Sequence, residues 1–164
     1  MKRILAILLT AAMLFISGCS NAEPLTKQEY FDEITKRVYI RNAAVTEICF
    51  SLYEYETNDT PLDKDEIRTK AQNAENALVE IKSLTPPSEY SGYHADMCDG
   101  VNSALPWFDA LDDAIDADNK AAFSNASDRM NEISDKSTLL SAWYDFVVAV
   151  SDEVDMNTDR FTDN

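Results

Sequence analysis

From Phe31 onward the chain repeats one pattern, an apolar residue every third or fourth position, held for helix-length stretches and interrupted at only a few places. That spacing follows the 3.6-residue turn of an α-helix, and the period-two alternation of a half-buried strand is nowhere sustained. A first stripe runs Phe31, Ile34, Val38, Val45, Ile48 and Leu52, and predicts a helix from Thr26 to about Thr57. Its start is marked by "TKQE", a capping box in which Thr26 accepts from the Glu29 N–H while the Glu29 carboxylate reaches back to Thr26. Asn58 to Pro61 end it. "DKDE" at 63–66 reads as a second capping box, followed by Ile67, Ala71, Ala74, Leu78 and Ile81; this helix stops before "TPP", because proline pushes its predecessor out of helical geometry.

Ser88 is the expected cap of a third helix with the stripe Tyr90, His94, Met97, Val101, Leu105, Phe108, Leu111 and Ile115. Gly92, Gly100 and Pro106 fall inside it, and Pro106 has no N–H for the Asn102 carbonyl, so a bend is expected there. "DADN" at 116–119 is a turn and cap. The fourth stripe, Ala126, Met130, Ile133, Ser137, Leu140, Tyr144, Val147 and Val154, predicts one helix in heptad register that frays from about Asn157. Amphipathic helices joined by short links bury their stripes against one another. The expectation is therefore an all-α protein, an antiparallel up-down four-helix bundle over residues 26–157 with an acidic tail at 158–164.

What precedes the bundle is of a different kind. Lys2 and Arg3 lead an almost unbroken apolar run, Ile4 to Ile16, too short to span a bilayer comfortably and suited to a signal-peptide core. It ends in Ile16, Ser17, Gly18 and Cys19: an aliphatic residue, two small ones and a cysteine. This tetrad resembles the lipobox of bacterial lipoprotein precursors. The resemblance covers residues 1–19 only, and it implies a diacylglycerol on the Cys19 sulfur, cleavage before Cys19, and acylation of the new amino terminus. Ordinary secretory cleavage near Ala22 and an uncleaved anchor are the competing readings. On the lipoprotein reading residues 1–18 are removed, 19–25 form a short tether, and the protein is held at the cell membrane on its extracytoplasmic side, since two or more acyl chains anchor stably where one does not.

Charge limits the partners. Without Lys2 and Arg3 the chain sets 30 acidic side chains against 12 basic ones, a formal charge of −18. Such a surface repels nucleic acid and anionic lipid. Residues 19–87 hold 8 basic and 13 acidic groups, 88–164 hold 4 and 17, so the second half is the expected face for cations or a basic protein or peptide.

No residue cluster demands a particular chemistry. Gly92 and Gly100 both fall in a helix, and no nucleophile elbow, zinc-protease signature or phosphate-cradling loop is present, so no enzyme is expected. Cys49 and Cys98 fall at similar heights along the first and third helices, which leaves open a disulfide; helices at opposite corners of a square bundle hold them too far apart, and two buried thiols are the other reading. "HADMC" places His94, Met97 and Cys98 on one helical face, a trio suited to a soft ion such as copper(I). A small-ligand or soft-metal carrier, copper or haem, is accordingly the alternative to a non-catalytic interaction module. No cofactor is expected on the first reading. No C-x-x-C-H haem attachment or Glu-x-x-His pair is present, and a calcium loop starting at Asp116 fails, with Ala121 where glycine belongs and Ser127 where a bidentate Glu belongs. Tyr90, Tyr93, Trp107, Phe108, Trp143 and Tyr144 gather near the Pro106 bend in sequence, either as core or around a small pocket.

Overall fold

The computed structural model describes residues 23–157; the apolar leader, Cys19 and the tail 158–164 lie outside the described residues. Among the described residues there is no strand. Helices α1 (Lys27–Asn58), α2 (Lys64–Ile81), α3 (Ser91–Ala104), α4 (Pro106–Ile115), α5 (Lys120–Lys136) and α6 (Leu139–Val150) pack as a helical bundle around one core, and a single 3₁₀ turn, Ser88–Tyr90, precedes α3. None of these helices is long and apolar enough to cross a membrane.

The first two helices follow their stripes. The Thr26–Glu29 box caps α1, with the Thr26 N–H donating to the Glu29 carboxylate at 2.9 Å, and Phe31, Ile34, Val38, Ile48 and Leu52 are buried. Its last turn closes on Asp59, the one non-glycine residue with positive φ among the described residues, at 56°. Aspartate tolerates the left-handed region better than most side chains. Asp63 caps α2 by accepting from the Glu66 N–H at 3.0 Å, but the expected box is only half formed because the Glu66 carboxylate pairs with Lys70 instead; Ile67, Ala71, Ala74, Leu78 and Ile81 are buried as spaced.

The second half departs from the expectation in three places. Ser88 does not cap the third helix; it opens the 3₁₀ turn, and α3 starts at Ser91 without a side-chain cap. The interruption expected at Pro106 is present, between α3 and α4, with Leu105 in right-handed helical dihedrals at the junction. The fourth helix is two helices. Ser137 is extended (ψ 130°), α6 restarts after Thr138, and the restart changes the register: Leu139, Phe146 and Val150 are buried, while Leu140 and Tyr144, placed in the core by the heptad pattern, are 48% and 63% exposed. The helix also ends at Val150, short of Asn157.

The shifted register is fixed by packing. Gly100 on α3 lies so close to α6 that a Cβ there would stand 2.8 Å from the Leu139 Cα. Phe146 then sits among Tyr30, Tyr90 and Tyr93, ring centroids 5.5 to 5.9 Å away, with Phe31 at 6.3 Å. At the same end Lys27 pairs with Glu153 and Glu89, the Tyr90 hydroxyl donates to Glu153 at 3.0 Å, and Gln28 exchanges hydrogen bonds with the backbone of Asp155. The Leu25 N–H donates to the Thr85 carbonyl at 3.0 Å, so the chain enters the fold directly before α1.

Candidate functional site

Two places bring chemistry-bearing side chains together. The first is on α3, beside the start of α1. His94 and Cys98 are one turn apart, so they share a face, and the structure brings His94 Nε2 to 3.5 Å from Cys98 Sγ. The other ring nitrogen, Nδ1, lies 2.9 Å from the hydroxyl of Tyr30 on α1. Tyr30 is fully buried, and its ring meets the His94 ring edge-on at 5.9 Å. A buried hydroxyl needs an acceptor, so the arrangement that satisfies the most groups has Tyr30 donating to Nδ1 and Nε2–H donating to the sulfur.

Electrostatics keep this chain of three neutral. Burial pulls His94 below the usual imidazole range, and burial raises the Tyr30 hydroxyl. Burial also raises the Cys98 thiol, with Asp99 adding to the rise and Lys82 opposing it. A thiol held protonated beside a neutral imidazole has the outline of a nucleophile and base without the lowered thiol pKa that attack requires. The third member of the sequence trio is elsewhere: Met97 is fully buried in the core. Among the described residues no group of three or more His, Cys, Asp or Glu is placed to hold a metal ion.

The second place is a cleft of about 160 Å³ between α1 and α5, lined by Cys49, Leu52 and Tyr53 on one side and Phe123 and Met130 on the other, with Trp107 also on its wall. It is well below the roughly 300 to 1,000 Å³ that encloses a drug-sized ligand. The structure does not join Cys49 to Cys98. Both thiols are free; Cys49 is on the exposed side of α1, and its thiol is raised, chiefly by burial against the cleft wall, with Arg41 opposing. Neither thiol is fully buried.

The six aromatic residues grouped around Pro106 in the sequence reading do not form one pocket. Tyr90 and Tyr93 pack on Phe146, Trp107 stacks edge-on against Phe108 at 5.3 Å, Trp143 meets Tyr39 at 6.2 Å, and Tyr144 faces solvent. Tyr30 is the functional candidate that the stripe reading missed. It stands four residues before Ile34 and eight before Val38, on the same face as both, so its burial was available from spacing. Its partner across the core was not. Comparison with protein-family models, with curated proteins and with solved structures finds no match for this chain.

Proposed function

We propose that the protein is a lipid-anchored lipoprotein of the cell membrane's extracytoplasmic side, an up-down four-helix bundle without catalytic activity that docks a basic protein or peptide on its acidic second half. The up-down order is supported by how pairs step along the helices. Arg37 meets Glu80 at 3.2 Å and Lys70 meets Glu47 at 2.6 Å, so ten residues up α1 correspond to ten residues down α2. Tyr93 contacts Phe146 and Ser103 Oγ is 3.2 Å from Ser137 Oγ, which is the same reversal between α3 and α6.

The observation that carries the docking reading is unbalanced charge on the folded surface. Asp96, Asp99, Asp109, Asp118, Asp128 and Asp135 are all exposed, and none has a salt bridge among the described residues. Unpaired exposed carboxylates cost little to expose and attract cationic side chains over about a Debye length. The anchoring reading rests on the Ile16 to Cys19 tetrad and on the short reach beyond it. Six Cα–Cα steps take the chain from Cys19 to Leu25, where it is hydrogen-bonded into the bundle, so the body is held within about 20 Å of the lipid.

Detergent phase separation tests the anchor. The full chain expressed in a bacterial host is expected in the detergent phase, and Cys19→Ser is expected to move it to the aqueous phase; equal partitioning of the two overturns the reading. Docking is tested by affinity capture of basic peptides at rising salt, where binding is expected to weaken steeply. Salt-insensitive binding, or none at low salt, removes the acidic half as the docking face.

A further inference from the structure

We propose that His94 and Cys98 form a half-open site for a thiophilic d¹⁰ cation, Zn²⁺ or Cu⁺, with water or a small ligand completing fourfold coordination. This goes beyond the anchored docking module and does not depend on it. The separation of the two donors carries the proposal. With metal–nitrogen and metal–sulfur bonds of about 2.0 and 2.3 Å, a tetrahedral ion spans its nitrogen and sulfur ligands by about 3.5 Å. His94 Nε2 and Cys98 Sγ already stand 3.5 Å apart, so an ion enters between them without movement of α3. Imidazole and thiolate are also the donor pair that a soft or borderline cation selects over magnesium or calcium.

The surroundings suit capture and release. Both side chains are half-buried, so one side of the site opens to solvent, and among the described residues no third carboxylate, thiol or imidazole is placed to close it. Tyr30 holds the ring in place. A ligating histidine needs a partner on its second nitrogen, and the Tyr30 hydroxyl, 2.9 Å from Nδ1, accepts as well as donates. On binding, the Cys98 thiol loses its proton to solvent and sulfur bonds the ion. The ring proton moves from Nε2 to Nδ1, facing the Tyr30 oxygen, and the freed Nε2 lone pair supplies the second bond. The nearest charges work in opposite senses: Asp99 favours the cation, and Lys82 opposes it while favouring the thiolate. Met97, fully buried, takes no part.

The test uses the full chain, kept reduced and titrated with Zn²⁺ alone and, in a separate arm, Cu⁺ alone, with native mass spectrometry counting ions per chain. One ion per chain is expected in at least one arm. Cys98→Ser is expected to abolish binding and His94→Gln to weaken it about tenfold or more, whereas Cys49→Ser and Met97→Leu leave it unchanged. A second readout needs no variant: the bound ion is expected to slow alkylation of Cys98 and to leave that of Cys49 untouched. Absence of binding in both arms, binding that survives Cys98→Ser, or protection of Cys49 in place of Cys98 overturns the proposal.

Discussion

The contact of α3 with α6 and the cleft between α1 and α5 are two ways of closing one bundle. At the first, backbone approaches backbone: Gly100 leaves no room for even a methyl group in front of Leu139, and Phe146 is enclosed by four aromatic rings. At the second, Leu52, Phe123, Met130 and Trp107 hold the helices apart and leave about 160 Å³ between them. The first contact is made by the absence of a side chain, the second by bulk. A void forfeits dispersion contacts on one side of every atom lining it, so the two regions differ in how much each added or removed carbon matters.

Removing a large side chain separates them most. Phe146→Ala is expected to cost about 3 to 5 kcal/mol, since the surrounding rings have no free path to collapse, whereas Leu52→Ala, already beside a cleft, is expected to cost about 2 kcal/mol. Urea midpoints at unchanged slope measure both; equal losses break the comparison. Next comes a single methyl. Gly100→Ala places a Cβ 2.8 Å from the Leu139 Cα, backbone that has to move, at a cost of about 2 kcal/mol. Gly92→Ala, on the same helix with nothing within 4 Å of its Cβ, is expected to stabilise by roughly 0.5 kcal/mol through helix propensity alone. Opposite signs for one chemical change on one helix place the cause at the α6 contact.

The first half of the fold was legible because α1 and α2 are uninterrupted and carry their own caps; Thr26, Asp63 and each stripe apolar residue except Val45 do what their spacing says. Asn119, whose side chain accepts from the Ala122 N–H at 3.0 Å, was legible in the same way. The break at Ser137 was not, because serine and threonine are ordinary on a helix surface and no glycine or proline marks the place. The Ser103 hydroxyl, which accepts from the Thr138 N–H at 3.1 Å, lies 35 residues away in sequence. The heptad reading ran through that break and put Leu140 and Tyr144 inside. The candidate site was half visible. His94 and Cys98 share a face by arithmetic, but Tyr30 reaches them only through the packing of α1 on α3, and one-dimensional spacing counted Met97 with them although its side chain turns to the core.

A smaller effect tests whether water is excluded on the tight side. Burial lowers the His94 pKa from its ordinary value of 6.5, so below that pH the unfolded chain takes up a proton that the folded chain refuses. Stability is then expected to be fully present above about pH 6.5 and to fall as the pH drops from there toward the lowered folded value. The hydroxyl of Tyr30 and the thiol of Cys98, beside the ring, are pushed up and away from this window, and the carboxylates of Glu29, Glu89, Glu132 and Glu153 are held down by hydrogen bonds and ion pairs, below it. His94→Gln is expected to flatten the slope between. A slope that persists in the variant assigns it elsewhere and removes His94 as a half-buried group kept neutral by the fold.

The smallest effect comes from adding carbon where there is room. Cys49→Leu extends a side chain on the cleft wall toward Leu52 and Met130, and burying part of the added apolar surface is expected to stabilise by about 0.5 kcal/mol, less than full burial gives because the cleft mouth stays open. The change enlarges a helix residue as Gly100→Ala does, and it trades cysteine for a better helix former. Propensity alone moves both variants the same way, so it cannot produce opposite signs. If Cys49→Leu destabilises, the walls of the cleft are as rigid as the Gly100 contact, and the bundle is tight at both seams in spite of the space between α1 and α5.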